Sequence, residues 1–201
     1  MDKTHSNRPY TRIHSTGGFW LLIGALLLAA SLRFFLWFVV ACIIHELGHM
    51  AAVWLMGGQI GTLRLTAVGA VLQPRRDRIF SYGEEGIIAA AGPAASLILA
   101  AGAALWGRQF GGTDACLLTG LSLVLGLFNL IPAQPLDGGR ILQALLSCFV
   151  GPDAGEEISH KITRLCGVCL AGAGAWMWHL GGSFTLLLCG VWLTVRRRSA
   201  P

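Results

Sequence analysis

Apolar residues in this chain come in long runs, not in the alternating or 3.6-spaced patterns of a half-buried strand or helix. The runs cover roughly residues 15–32, 34–57, 84–106, 114–132, 160–179 and 182–195. A helix needs about 20 apolar residues to cross the hydrocarbon core. The pattern therefore predicts six membrane spans, the last of them short. Residues 139–150 are also apolar, with Ile141, Leu142, Leu145, Leu146, Phe149 and Val150, and predict a short helix after the fourth run. The stretch 58–83 has another character. Gly57-Gly58 stops the second run, Thr62-Leu63-Arg64-Leu65-Thr66 alternates, and Ala67 to Leu72 is apolar. That is the pattern of a small β-hairpin. The predicted fold class is an all-α membrane protein of about six transmembrane helices, with this hairpin between the second and third. Residues 1–201 form one domain, with 1–14 as a cytoplasmic segment, 58–83 as the hairpin loop and 196–201 as a basic cytoplasmic tail.

Composition agrees with the pattern. The chain is 54% hydrophobic and only 12% charged, with a mean hydropathy of +0.64. Soluble domains carry about 25% charged residues, so most of this chain is expected to be solvated by lipid. The net charge of +5 does not indicate nucleic acid, because the basic residues lie in short inter-segment loops and at the termini. There they act as topology signals. With the N-terminus in the cytoplasm, only Arg33 and Arg108 of the 15 Lys and Arg residues fall outside. The expected location is thus the cell membrane, multi-pass, with both termini cytoplasmic. Gly18 to Leu32 follows Lys3, Arg8 and Arg12 as a signal peptide would, but no A-x-A-like site precedes a polar region, so a retained anchor is expected. The six cysteines sit in or beside apolar stretches and read as tolerated small residues rather than a disulfide framework.

Two strings carry chemistry. The first is His45-Glu46-Leu47-Gly48-His49. On a helix, positions i and i+4 share a face, so His45 and His49 can grip one metal ion. Glu46 is placed to take a proton from water at that ion. Chance produces H-E-x-x-H in roughly 0.4% of shuffled versions of this chain, so the string needs its context as support. Its context is apolar on both sides, from Phe34 to Ile44 and from Met50 to Met56. Ionisable groups at membrane depth are costly and mark function.

The second string is Asn129-Leu130-Ile131-Pro132-Ala133-Gln134-Pro135-Leu136-Asp137-Gly138-Gly139-Arg140. Irregular backbone at membrane depth is tolerated only where it lines a cavity or packs on protein. A two-histidine site needs a further ligand, and Asp137 is a carboxylate beside broken helix. Taken alone, the string serves equally well as a helix-ending turn with Asp137 as N-cap.

Together the strings resemble the site-2 protease family of intramembrane metalloproteases. The six-span layout and the early H-E-x-x-H resemble its stage IV sporulation protein FB group most, without the PDZ insertion and without the C-terminal CBS domain. The resemblance implies Zn2+ held by His45, His49 and Asp137, Glu46 as general base, and Asn129 and Pro135 as substrate-positioning residues. It implies hydrolysis of peptide bonds in membrane-associated proteins, with a pro-sigma factor in sporulation as the expected substrate class. Family members often read A-G-P-x-x-N in the third span, whereas this chain reads Ala91-Gly92-Pro93-Ala94-Ala95-Ser96.

The expected partners are a membrane-tethered protein substrate, the lipid bilayer and an inhibitory membrane protein, with no nucleic acid. An extended substrate could add to an edge strand near Leu63–Leu72, although an ordinary cytoplasmic turn fits that stretch as well. The alternative function is a membrane metal-ion transporter. It predicts ligands on several spans at different depths, and spans one, three, five and six hold almost no ionisable residue at mid-depth.

Overall fold

The computed structural model describes residues 12–66, 69–74 and 78–195. Residues 1–11, 67–68, 75–77 and the basic tail 196–201 lie outside the described residues. The chain opens with strand β1 (Arg12–Ser15) and helices α1 (Gly17–Ala29) and α2 (Leu32–Leu55). Strands β2 (Ile60–Thr66) and β3 (Gly69–Pro74) follow. Five helices complete it: α3 (Tyr82–Phe110), α4 (Thr113–Asn129), α5 (Asp137–Val150), α6 (Pro152–His179) and α7 (Thr185–Val195).

Helices α2 and α3 start at polar caps. Ser31 Oγ accepts the Phe34 N–H and begins α2. At α3, Ser81 Oγ accepts the Glu84 N–H while Glu84 Oε2 accepts the Ser81 N–H, a reciprocal capping box. Gly57, with φ of 73°, turns the chain out of α2 in a conformation that L side chains avoid. Asp114 Oδ1 accepts from both Arg33 Nε and Trp37 Nε1, which ties the start of α4 to the start of α2.

α2 and α3 have the length and apolarity to cross a membrane, with mean hydropathies of 1.7 and 1.9. α4 and α7 are apolar but shorter, at 17 and 11 residues. α6 runs for 28 residues from Pro152, eight positions ahead of the expected start of the fifth span. Its first turns hold Asp153, Glu156, Glu157 and Lys161, which a hydropathy reading excludes although they support a helix. The outward faces carry Leu28, Leu36, Trp54, Ile98, Val124 and Leu165, all exposed. Continuous apolar outer faces suit a lipid solvent.

α2 and α3 pack closely because small residues face each other. A Cβ on Gly48 would lie 2.7 Å from Ala95 Cβ, so this contact admits no larger residue. α4 packs on the same pair, with Ala41, Ala103 and Leu118 as one buried cluster. α5 packs on α3 and α6, and α6 on α7. The sheet has the order β1-β2-β3. β2 and β3 are antiparallel, and β1 joins β2 in parallel with Ile13 opposite Leu63. The sequence reading expected no strand at 12–15. A four-residue piece pairs too little of its own length to leave a periodic signal.

Candidate metal centre

The H-E-x-x-H string lies within α2, so His45 and His49 project one turn apart on one face. Both are buried, at 5% exposure. α3 runs antiparallel beside them and meets them at the same spacing. Opposite His49 stand Ile88 and Gly92, and opposite His45 stands Ser96.

Each contact has a local cause. Gly92 lies four residues after Ile88, so its missing side chain uncovers the Ile88 carbonyl. The His49 imidazole fills that space, where any Cβ on Gly92 would collide with its Nε2. His49 Nδ1 is then 2.8 Å from Ile88 O. A carbonyl only accepts, so Nδ1 carries a proton, and in the neutral ring that a metal ligand requires Nε2 presents a lone pair. His45 Nδ1 is 2.9 Å from Ser96 Oγ, a hydroxyl that is fully buried.

Asp137 reaches the same point from the other end of the chain. It is the first residue of α5, with Leu136 as N-cap, so its carboxylate sits where the helix dipole favours negative charge. The turn N-cap role that the sequence left open for Asp137 therefore falls to Leu136. Gly138 and Gly139 allow the broken segment to fold over the start of α5. A Cβ on Gly138 would collide with the Leu130 carbonyl, and one on Gly139 would lie 2.5 Å from the Ala133 carbonyl carbon. Asp137 Oδ1 lies 3.8 Å from Arg140 Nη1, while Oδ2 faces the histidines.

Three atoms converge. Oδ2 of Asp137 is 3.1 Å from His45 Nε2 and 3.2 Å from His49 Nε2, and the two Nε2 atoms are 3.3 Å apart. This is the one group of potential metal ligands among the described residues. A metal fits it on two counts. First, with the His49 ring neutral, its Nε2 and Oδ2 of Asp137 are both acceptors, so a cation between them replaces a repulsion with two bonds. Second, a tetrahedron with edges of this length has its centre about 2.0 Å from each corner, the range of zinc–imidazole and zinc–carboxylate bonds. Two imidazoles and a carboxylate also suit zinc over harder cations.

Glu46 is half-buried on α2 beside His45. Asn129, at the end of α4, donates from Nδ2 to the Leu125 carbonyl at 3.0 Å, so its amide N–H is turned to its own helix. Pro135 lies two residues before Asp137 in the broken segment and is half-buried. Reading the sequence assigned no role to Ser96 as the partner of His45, nor to Gly92 as the floor under His49. The signal was present in the four-residue spacing of Ile88, Gly92 and Ser96, which equals that of the two histidines.

The chain is similar to known proteins in family, sequence and fold. Residues 114–171 match Peptidase family M50, a stretch that holds Asn129, Pro135 and Asp137. Zinc metalloprotease MJ0392 of Methanocaldococcus jannaschii is 36% identical over 135 residues, 65% of this chain and 39% of that protein. Rip3 of Mycobacterium tuberculosis is 31% identical over 198 residues, 87% of this chain and 44% of Rip3. The chain thus spans less than half the length of the curated relatives it matches. The solved site-2 protease from Methanocaldococcus jannaschii superposes with a TM-score of 0.68 at 28% identity, covering 90% of this chain and 87% of that one. Family match, zinc metalloprotease relatives and the site-2 protease structure together support the peptidase M50, or site-2 protease, family as the family of this chain.

Proposed function

We propose that this chain is an intramembrane zinc metalloprotease. The observation that carries the reading is the triangle of His45 Nε2, His49 Nε2 and Asp137 Oδ2, whose edges are 3.1 to 3.3 Å. In this reading those three residues hold the ion. Zinc bound there supplies Lewis acidity, which brings the pKa of water from 15.7 down to about 7. Glu46 accepts the proton of the attacking water on a carboxylate oxygen and returns it to the leaving amine nitrogen. Ile88 O and Ser96 Oγ hold the imidazoles in orientation. Asn129 and Pro135 position the substrate.

The substrate is a membrane-tethered protein, cut near the cytoplasmic face, with a pro-sigma factor in sporulation as its most specific form. A six-span topology with both termini cytoplasmic belongs to the same reading, as does an inhibitory membrane partner. A helix hides each scissile carbonyl in its own hydrogen bond, so the substrate must be extended. β3 lies at the edge of the sheet and offers backbone groups for strand addition. Transport is the weaker reading, because one metal-ligand group among the described residues provides no succession of sites.

The test is co-expression with a candidate tethered pro-sigma factor, comparing wild type with Glu46→Gln and assaying zinc in both. The expected result is cleavage by wild type alone with zinc retained in both. Purified wild-type protein that takes up no zinc would overturn the reading.

A further inference from the structure

The segment Leu130–Leu136, which delivers Asp137, is irregular and has little internal bonding. Ala133 N–H reaches Ile131 O at 2.7 Å and Leu136 N–H reaches Ala133 O at 2.9 Å. What fixes it from outside is α6. Gln134 N–H donates to Thr163 Oγ1 at 3.1 Å, and Thr163 Oγ1 donates in turn to Ser159 O at 2.9 Å. The second bond uses the hydroxyl proton, so a lone pair faces Gln134. Thr163 is itself buried, at 6% exposure. The Gln134 side chain is also held, with Nε2 donating to Gln143 Oε1 on α5.

We infer that Thr163 is a positioning residue for the metal ligand Asp137, acting through the Gln134 backbone. The inference rests on the metal-site reading above. The Gln134 N–H is part-buried, and its one partner in this bond is the Thr163 hydroxyl. Without the Thr163 hydroxyl, the Gln134 N–H must turn elsewhere, and the segment three residues before Asp137 turns with it. The edges of 3.1 to 3.3 Å suit a central ion about 2.0 Å from each ligand atom, so a shift of the Asp137 carboxylate takes it off that distance.

The experiment uses the purified full chain in detergent, with zinc affinity measured by chelator competition and fold by thermal melting. Thr163→Val keeps the shape and removes the hydroxyl; Thr163→Ser keeps the hydroxyl. The expected result is an affinity about tenfold lower in Thr163→Val, as for outer-shell partners generally, and within twofold of wild type in Thr163→Ser. Equal affinity in wild type and Thr163→Val would overturn the inference and leave the metal site standing. Absence of zinc binding in wild type would overturn both. Should Thr163→Val not fold, amide exchange in zinc-stripped wild type decides. Slow exchange at Gln134 supports the latch, and exchange at the rate of an open loop refutes it.

Discussion

His49 Nε2 and Asp137 Oδ2 stand 3.2 Å apart across 88 residues of sequence, and with the imidazole neutral both are acceptors. The Ile88 carbonyl enforces this, because it claims the imidazole proton at Nδ1. Two buried acceptors in contact repel unless a cation or proton lies between them. Stripping the metal with a chelator should therefore lower the thermal midpoint, and added zinc should restore it. A ligand at 1,000 times its Kd stabilises by about 4 kcal/mol. A midpoint indifferent to both treatments would count against the site.

The ligand carboxylate and the general base should separate in a zinc assay. Asp137→Ala removes one of the three proposed ligands and should leave the purified protein well below one zinc per chain. Glu46→Gln should keep full zinc and lower turnover by about 10²–10⁴-fold, the usual contribution of general acid–base catalysis. Equal zinc loss in the two variants would mean that the roles are misassigned.

Ser96→Ala tests the partner of His45. The change leaves the small residue that α2 and α4 pack against and removes only the hydroxyl at 2.9 Å from Nδ1. Zinc affinity should fall about 10- to 100-fold with little change in helix content. Affinity equal to wild type would show that packing alone orients the ring.

Gly92→Ala places a Cβ in the space of the His49 ring, whereas Gly102→Ala on the same helix meets nothing within 4 Å. Overpacking a filled site costs about 1–3 kcal/mol. The first variant should therefore melt lower and hold zinc more weakly, while the second should behave as wild type or better. Equal melting of the two variants would remove Gly92 from the account.

Much of this architecture is written locally in the chain. α2 is legible because its histidines, its apolar flanks and its stop at Gly57 lie within one run. The short helix α5 is legible from its apolar spacing, and the broken segment before it from Pro132, Pro135 and the glycine pair. What could not be read depends on distant partners. β1 exists because β2 lies beside it. Ser96 and Thr163 are ordinary residues until α2 and the 130–136 segment are placed against them. The early start of α6 was hidden for another reason. Its i,i+4 pairs Glu156–His160 and Glu157–Lys161 suit a helix, yet their polarity removes them from any search for apolar runs.

The division of the ligands between α2 and α5 also bears on how the chain holds its shape. Two of the proposed ligands are one helical turn apart, and the third arrives only after α3 and α4 have been threaded between. An ion at this point is a cross-link that closes a long loop. Clips of that kind act on the unfolded chain, whose freedom they curtail, and their effect grows slowly with the length enclosed. The metal would then be part of the fold's connectivity, joining directly two helices, α2 and α5, that otherwise pack together through α3.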